Sequence, residues 1–457
     1  MNHFIHPNTT LREHAREVPV REAYDVIICG GGPAGTAAAL AAARQGASAL
    51  VIEGKGCLGG VWTAGVLSWI VDAGHKEGVM GELVRLLDQE KLRTVNQDNT
   101  YGHAFDPERM KRLLERLCLE AGVRIRLHTM IVDGVVDDAG RVTHVITESK
   151  SGREAWPAKV FVDCSGEGDF AARCGCGFEM GHPETGKTQP FSLLGILAGP
   201  SLTEVEPYLS GWKKEGETLG HDYQRARKGK ARIRVELEEA GIHPSYGKPS
   251  LFPIHDGLYM FMANHEYGVS AISADDITAA TLRARAEVHE MIDALRARGG
   301  AWQNVRLVAT GEQIGLREGR RIHGLYRVTL QDLLEGASHE DGICRVHAPI
   351  DVHSTDRAHG DGHEWPGLEP GTQSLPYDIP LRALVARDRD GLFIAGRCIS
   401  GDFIAHSSYR VTGDAVAMGE AAGVAAAHAA KNNISPHHLP FKQIAREIAK
   451  PVELAEA

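Results

Sequence analysis

Six residues, Gly30-Gly31-Gly32-Pro33-Ala34-Gly35, constrain this chain more than any other feature. They follow directly on Tyr24-Asp25-Val26-Ile27-Ile28-Cys29, an apolar run that reads as a buried strand. They open an alanine-rich segment that reads as a helix from about Pro33 to Gln45. G-x-G-x-x-G in a strand–turn–helix context has a specific physical use. Gly30 makes the tight turn, Gly32 lets the backbone approach a pyrophosphate, and Gly35 lets helix and strand pack closely while the helix N-terminus faces the phosphates. A second strand, Ser48 to Ile52, ends in Glu53, 18 residues beyond Gly35, where a carboxylate hydrogen-bonds both ribose hydroxyls of an unphosphorylated adenosine. A merely structural glycine-rich turn is disfavoured, because strand, helix, small-residue packing and acid stand together.

The rest of the chain is large enough to build on such a unit. At roughly 150 residues per domain, 457 residues suggest about three folding units. Glycine numbers 52, where an average usage of about 7 % supplies roughly 32. A formal charge of −10 and the lack of a long basic stretch leave no electrostatic footprint for nucleic acid. No apolar run approaches the roughly 18 residues of a membrane span, and the first 22 residues lack the apolar core of a secretory signal. Eight cysteines without a C-x-x-C pair announce neither a zinc nor an iron–sulfur site, so no metal and a cytoplasmic location with reduced thiols are expected.

The turn alone leaves FAD and NAD unseparated. What separates them is a second glycine-dense loop, Gly54 to Gly65, directly after the acid, where an NAD-binding half usually returns to a helix. With this loop the chain resembles the FAD-dependent oxidoreductase family, whose flavin domain is of the glutathione-reductase type, and more narrowly the bacterial branch related to fumarate-reductase flavoproteins. The family's G-G-x-x-T-x-G loop along the pyrophosphate and flavin edge is matched by Gly59, Gly60, Thr63 and Gly65. The resemblance implies non-covalent FAD. It also implies an adenosine contact through the main chain of Ile131, in a small antiparallel sheet of three strands ending near Asp163. Val162-Asp163-Cys164-Ser165-Gly166-Glu167-Gly168-Asp169 matches D-x-[ST]-G-[DE]-G-D and carries over Ser165 and Gly166 as FAD contacts. Asp169 is open between a cofactor role and capping of a helix over 170–174. The last block, Gly391 to Ser400 followed by a small-residue helix from about Gly413 to Ala430, carries over Gly396, Arg397, Thr412 and Gly413 to the ribityl and pyrimidine end.

Two neighbouring patterns are missing. Arg397 rather than Asp follows Gly396, which argues against an aromatic hydroxylase, and no second G-x-G-x-x-G with a redox C-x-x-x-x-C supports a disulfide reductase. The segment Glu312 to Ile322 resembles the family's Q-I-G-x-R-E-x-R-R, with Gln313-Ile314-Gly315 as a strand. Its charges read either as a solvated face or, through the resemblance, as placing Arg317, Arg320 or Arg321 at the flavin's border or on a carboxylate. His406, Tyr409 and Arg410 lie between two flavin blocks. His406 is a candidate base, Tyr409 its hydrogen-bonding partner and Arg410 an anchor for an anionic substrate; a packed, capping histidine is the alternative. The loop 347–376, with His347, His353, His359 and His363, reads as solvated rather than as a metal site or active-site cap, because the spacing matches no defined ligand set.

The expected fold is α/β: a discontinuous Rossmann-like FAD-binding domain over 23–177 and 380–432, to which 310–330 is a candidate addition. An α+β substrate or cap domain over 178–379 is inserted in it, with strands at 258–264 and 268–273 and a helix at 277–297. An N-terminal extension covers 1–22 and a tail helix 433–457. The expected activity is dehydrogenation of a small organic molecule by hydride transfer to flavin N5. A monooxygenase using NAD(P)H and oxygen, and an electron-transfer subunit, are the alternatives. The partners expected are a small-molecule substrate, with neither nucleic acid nor membrane.

Overall fold

A computed structural model describes residues 13–92, 102–210, 219–357 and 372–448. Its seven-stranded sheet is built around Tyr24–Cys29, whose last four residues are fully buried. Ala49–Ile52 lies parallel on one side, followed by Arg124–Arg126, and the second half of Gly152–Asp163 lies parallel on the other. That twelve-residue strand joins two kinds of sheet. Residues 158–163 pair in parallel with the first strand, whereas 152–157 pair antiparallel with Val142–Ser149, which pairs in turn with Met130–Val136. The late strand Leu392–Ile394 closes onto Phe161–Asp163, so residues far apart in sequence complete one layer.

Two helices cover this sheet at unusually short range. Pro33–Arg44 and Thr412–Asn432 are both alanine-rich, and small residues let their backbones touch. A Cβ on Gly419 would stand 2.0 Å from the carbonyl oxygen of Ala34, and one on Gly423 would stand 2.2 Å from that of Ala38. The Pro107–Glu120 helix starts as its sequence demands, the Asp106 carboxylate accepting from the amides of Glu108 at 2.8 Å and Arg109 at 3.2 Å.

A second, four-stranded antiparallel sheet runs in the order Ser250–His255, Leu258–Met262, Gly195–Ala198, Arg306–Thr310. It has its own core, in which Leu197, Tyr259 and Phe261 meet Met291 and Ile292 of the Ala274–Arg298 helix. The strand expected to reach Asn264 stops at Met262, because the Asn264 side chain takes over the pairing. Its Oδ1 accepts from the Leu193 amide at 2.9 Å, and its Nδ2 donates to the Leu193 carbonyl at 2.6 Å.

Three expected elements do not form. Residues 268–273 are irregular: Gly268 has φ +66° and Ser273 caps the following helix. Gln313-Ile314-Gly315 makes one isolated bridge, Gly315 to Ser192, in place of a strand. Residues 433–448 hold two 3₁₀ turns, Pro436–His438 and Phe441–Gln443, rather than a tail helix, since Pro436 and Pro440 interrupt it; the remainder of the tail lies outside the described residues. No helix among the described residues is long and apolar enough to cross a membrane.

Candidate active site

The strand register builds the site. Cys29 lies opposite both Ile52 and Asp163, and Ile394 lies opposite Asp163, so four parallel strands end at one level. The loops leaving those ends therefore converge on the carboxyl edge of the sheet, where open α/β sheets bind their ligands. Gly30, Gly32, Pro33 and Ala34 come from the first, Glu53 and Lys55 from the second, Cys164 to Glu167 from the third, and Ala395 to Arg397 from the fourth. Together with Gly60, Thr412 and Arg410 they line a cavity of about 350 Å³.

The three glycines of the first turn divide their work. Gly30 has φ +107°, and a Cβ there would lie 2.6 Å from the Cys164 carbonyl oxygen; Gly35 packs tighter still, with 1.8 Å to the Gly30 oxygen. Gly32 has an ordinary φ of −69° and no other protein atom within 4 Å of its Cβ position. Its open face belongs to the cavity. Neither helix that starts here, Pro33–Arg44 or Thr412–Asn432, is capped by a side chain, so both present N-terminal amides to an anion. The buried Thr412 hydroxyl beside the second N-terminus has no hydrogen-bond partner among the described residues. An uncapped pair of helix ends, an open glycine face and an orphaned hydroxyl fit a dinucleotide such as FAD.

Glu53 is held at the cavity edge by the amides of Gly31 (2.7 Å) and Lys55 (2.8 Å). Gly166, at φ +88°, leaves room for the Arg397 guanidinium, which pairs with Glu167. Burial raises the Glu167 carboxyl, and Arg397 only partly reverses that.

Several expected positions stand behind the wall rather than in it. Gly35, Gly59, Thr63 and Gly65 shape the loops: the Thr63 hydroxyl donates to the Leu58 carbonyl, and a Cβ on Gly65 would meet the Val61 oxygen at 2.8 Å. Gly413 is a packing glycine, its Cβ position 2.2 Å from the Asp72 oxygen. Ile131 does not line the cavity; it is its neighbour Met130 whose sulfur meets the Glu53 loop, 2.7 Å from the Cβ position of Gly54. Asp169 neither lines the cavity nor caps a helix; it pairs with Arg320 at 2.9 Å, while Asp163 accepts from Ala171 at 2.7 Å.

The chemical candidates also separate. His406 is fully buried off the cavity, and desolvation with Arg321, Arg410 and Arg397 nearby drives its imidazole well below the ordinary value. Both of its ring nitrogens are buried without a hydrogen-bond partner among the described residues, so no carboxylate orients it and the structure does not support it as a base. Tyr409 is buried too, donating to the Ile399 carbonyl at 3.3 Å. Arg320 is spent on Asp169 and the Glu167 carbonyl. Glu318 and Arg321, where a solvated face is the simpler expectation, form a fully buried pair 2.6 Å apart. Arg410 alone of the five candidates lines the cavity. Its Nη2 donates to the Asp351 carbonyl at 2.6 Å, its Nη1 is buried without a partner among the described residues, and burial pushes the guanidinium down to about 9.

Lys55, Glu167, Ile277, Thr281 and Gln313 line the cavity without having been singled out as contacts. The register rule could have found Lys55 and Glu167, which follow strand ends; Ile277 and Thr281 reach it from the Ala274–Arg298 helix, which no local pattern reveals. His359 and His363 lie outside the described residues. Among the described residues no group of three His, Cys, Asp or Glu could hold a metal.

The model of a family described as FAD dependent oxidoreductase matches residues 25–448. Among solved structures, the chain is similar to a geranylgeranyl bacteriochlorophyll reductase-like protein of Thermoplasma acidophilum, at 14 % identity over 93 % of this chain and 84 % of that one, with a TM-score of 0.48. It is also similar to the myxobacterial chondrochloren halogenase CndH, at 13 % identity, 94 % and 78 % coverage and a TM-score of 0.46. A third likeness is to the flavin-dependent brominase Bmp2, at 13 % identity, 92 % and 81 % coverage and 0.45.

Proposed function

From the premise that the chain belongs to the FAD-dependent oxidoreductase family, we propose that it dehydrogenates a small organic anion anchored by Arg410. The observation that carries this reading is the buried Nη1 of Arg410 on the cavity wall, which has no partner among the described residues. A guanidinium withdrawn from water and left short of hydrogen bonds is costly unless an anion completes it, and a carboxylate does so with matched geometry.

FAD, when bound, supplies the redox chemistry by accepting a hydride. The chain's own residues hold and orient it. The Gly30–Gly35 turn and the Pro33 helix end take the pyrophosphate, Glu53 the adenosine ribose, and Ser165 and Gly166 the dinucleotide's middle. Gly396, Arg397 and the Thr412 helix end take the ribityl and pyrimidine side, where positive ends favour the charge of the reduced cofactor. Non-covalent binding is supported by the thiols. Cys57 packs on Thr63 and Cys398 on the carbonyls of Asp163 and Ala395, and neither lines the cavity.

The test is anaerobic mixing of the FAD-loaded protein with paired organic acids and their amides, following loss of oxidised-flavin absorbance. Bleaching by an acid and not by its amide is the expected result. Bleaching by neutral compounds alone refutes the anionic substrate, and NAD(P)H-dependent hydroxylation with no bleaching by any acid refutes dehydrogenation.

A further inference from the structure

Behind Arg410 lies a polar cluster whose other side chains stand off the cavity lining. The Asp351 carbonyl accepts from Arg410, and its carboxylate stands 3.8 Å from the same guanidinium and 3.2 Å from Nε2 of His353. The His353 ring is edge-on to His265, centroids 5.0 Å apart at 82°, and His265 stacks on Tyr246 at 4.1 Å. Nδ1 of His265 lies 3.2 Å from the Tyr267 hydroxyl. Arg317 completes the cluster, held by the Pro190 carbonyl and by Ser192 Oγ at 3.3 Å.

The cluster is tied to the helix that ends in Arg410. Gln189 accepts from the His353 amide at 2.9 Å and donates to Ser407 Oγ at 3.1 Å. Arg410 and His353 have side chains 6 % and 15 % exposed, whereas that of Asp351 is 51 % exposed. The carboxylate thus stands at an open edge with a guanidinium and an imidazole packed on it.

A carboxylate hydrogen-bonded to one ring nitrogen fixes the tautomer of a histidine. Nε2 carries the hydrogen toward Asp351, and Nδ1 keeps the lone pair, with no hydrogen bond to it from the described residues. His265 lacks this support: its Nε2 is buried without a partner among the described residues, and a hydroxyl rather than a carboxylate faces its Nδ1. We propose that His353, oriented by Asp351, is the base that takes a proton from a carboxylate-bearing substrate held at Arg410. This rests on the anionic-substrate reading and adds to it a residue and a bond. With FAD bound as the hydride acceptor, the substrate's C–H bond would break with its electron pair. The proton of the adjacent O–H or N–H passes to Nδ1, and a C=O or C=N bond forms. Dioxygen or an added quinone then takes the two electrons, and His353 gives its proton to water.

The surroundings match that task. Burial and Arg317 push the His353 imidazole down to about 4, against the upward pull of Asp351. The groups facing it are Arg317, Arg410, Asp351, His265 and Tyr246, so at neutral pH it is unprotonated and able to accept. An anion placed beside the guanidiniums offsets their charge and raises the proton affinity of His353, which links anion binding to proton uptake.

The test uses FAD-loaded protein titrated with methanesulfonate, ionised throughout, and with acetate from pH 6 upward, read by the oxidised-flavin spectrum between pH 5 and 8. Wild-type Kd is expected to weaken toward about tenfold per pH unit over part of that range. H353N is expected to show a pH-independent Kd within about threefold of wild type at pH 8, where the linkage is spent. A wild-type Kd that is flat with pH overturns the base assignment, as does an H353N variant that keeps the linkage. R410Q is expected to lose affinity at every pH. Unweakened binding in R410Q instead overturns the underlying anion reading, so the two failures are distinct. Should H353N lose its FAD, H353Q takes its place. Histidine proton NMR of the wild type also reads the same linkage: with methanesulfonate one histidine should become at least tenfold harder to deprotonate, and no change overturns the proposal.

Discussion

Gly32→Ala and Gly35→Ala, three residues apart in one turn, should fail in opposite ways. At Gly32 the added methyl meets no other protein atom within 4 Å, and φ −69° with ψ −170° suits any residue. For the apoprotein the change only removes freedom from the unfolded chain, worth about 0.4–1 kcal/mol of added stability. The methyl occupies the cavity, however, where a pyrophosphate must approach the backbone. One surplus methyl in a close-packed contact costs about 1–3 kcal/mol. At 1.4 kcal/mol per tenfold, FAD should bind roughly 5- to 150-fold more weakly. At Gly35 the methyl would stand 1.8 Å from the Gly30 oxygen, a backbone atom that cannot rotate away. There the fold itself should lose about 3 kcal/mol or more. Circular dichroism melts of the apoproteins and flavin-fluorescence titrations of FAD separate the two. A G32A protein that binds FAD as tightly as wild type, or melts as low as G35A, would falsify the assignment of this face to the cofactor.

Other consequences follow from further buried groups. Lys76 lies 2.9 Å from Asp72 and 2.8 Å from Asp414, all three buried; burial and the neighbouring Asp72 raise the Asp414 carboxyl well above its ordinary value, so K76M strands the Asp72 carboxylate. A loss of about 3–5 kcal/mol in urea unfolding is expected, and a loss below about 1 would contradict the buried triad. E318Q keeps the shape of a side chain that accepts from Arg321, Gly181 and Gln189 but strands the buried Arg321. It should destabilise the protein by about 3 kcal/mol while leaving the flavin spectrum unchanged; an altered spectrum would place the pair at the cofactor. All eight cysteines are free and buried, with desolvation raising thiols such as Cys164 and Cys398. Native protein at pH 8 should therefore react slowly with a thiol-disulfide reagent and release all eight only on unfolding. Prompt labelling of a single thiol would mark an activated cysteine that this reading lacks.

The cofactor half was legible because its constraints are local. A strand, a tight turn and a helix N-terminus fit within a dozen residues, and glycine is demanded wherever backbones touch, as Gly30 and Gly35 do. The acid at Glu53 could be placed by counting from the turn. The chemical half was not legible in the same way. Arg410 could be suspected from lying between two cofactor blocks, but so could His406 and Tyr409, and one helical segment turns them to different sides: Arg410 to the cavity, the others to the core. His353 sits in a polar loop that reads as solvated. Only the tertiary pairing through Gln189 and Asp351 packs it against Arg410. The Glu318–Arg321 pair misleads similarly, since charge density in sequence cannot distinguish a solvated face from a buried, fully hydrogen-bonded pair.

The most direct measurement is the acid-over-amide preference in anaerobic flavin reduction, compared between wild type and R410Q with FAD content matched. Removing the guanidinium takes away the charge-assisted pair that an acid makes and an amide does not, worth about 1.5–3 kcal/mol. The preference should fall by roughly 10- to 150-fold, with reduction of the amide changing little. An R410Q protein that keeps the wild-type preference would contradict the account, because the anion would then be recognised elsewhere.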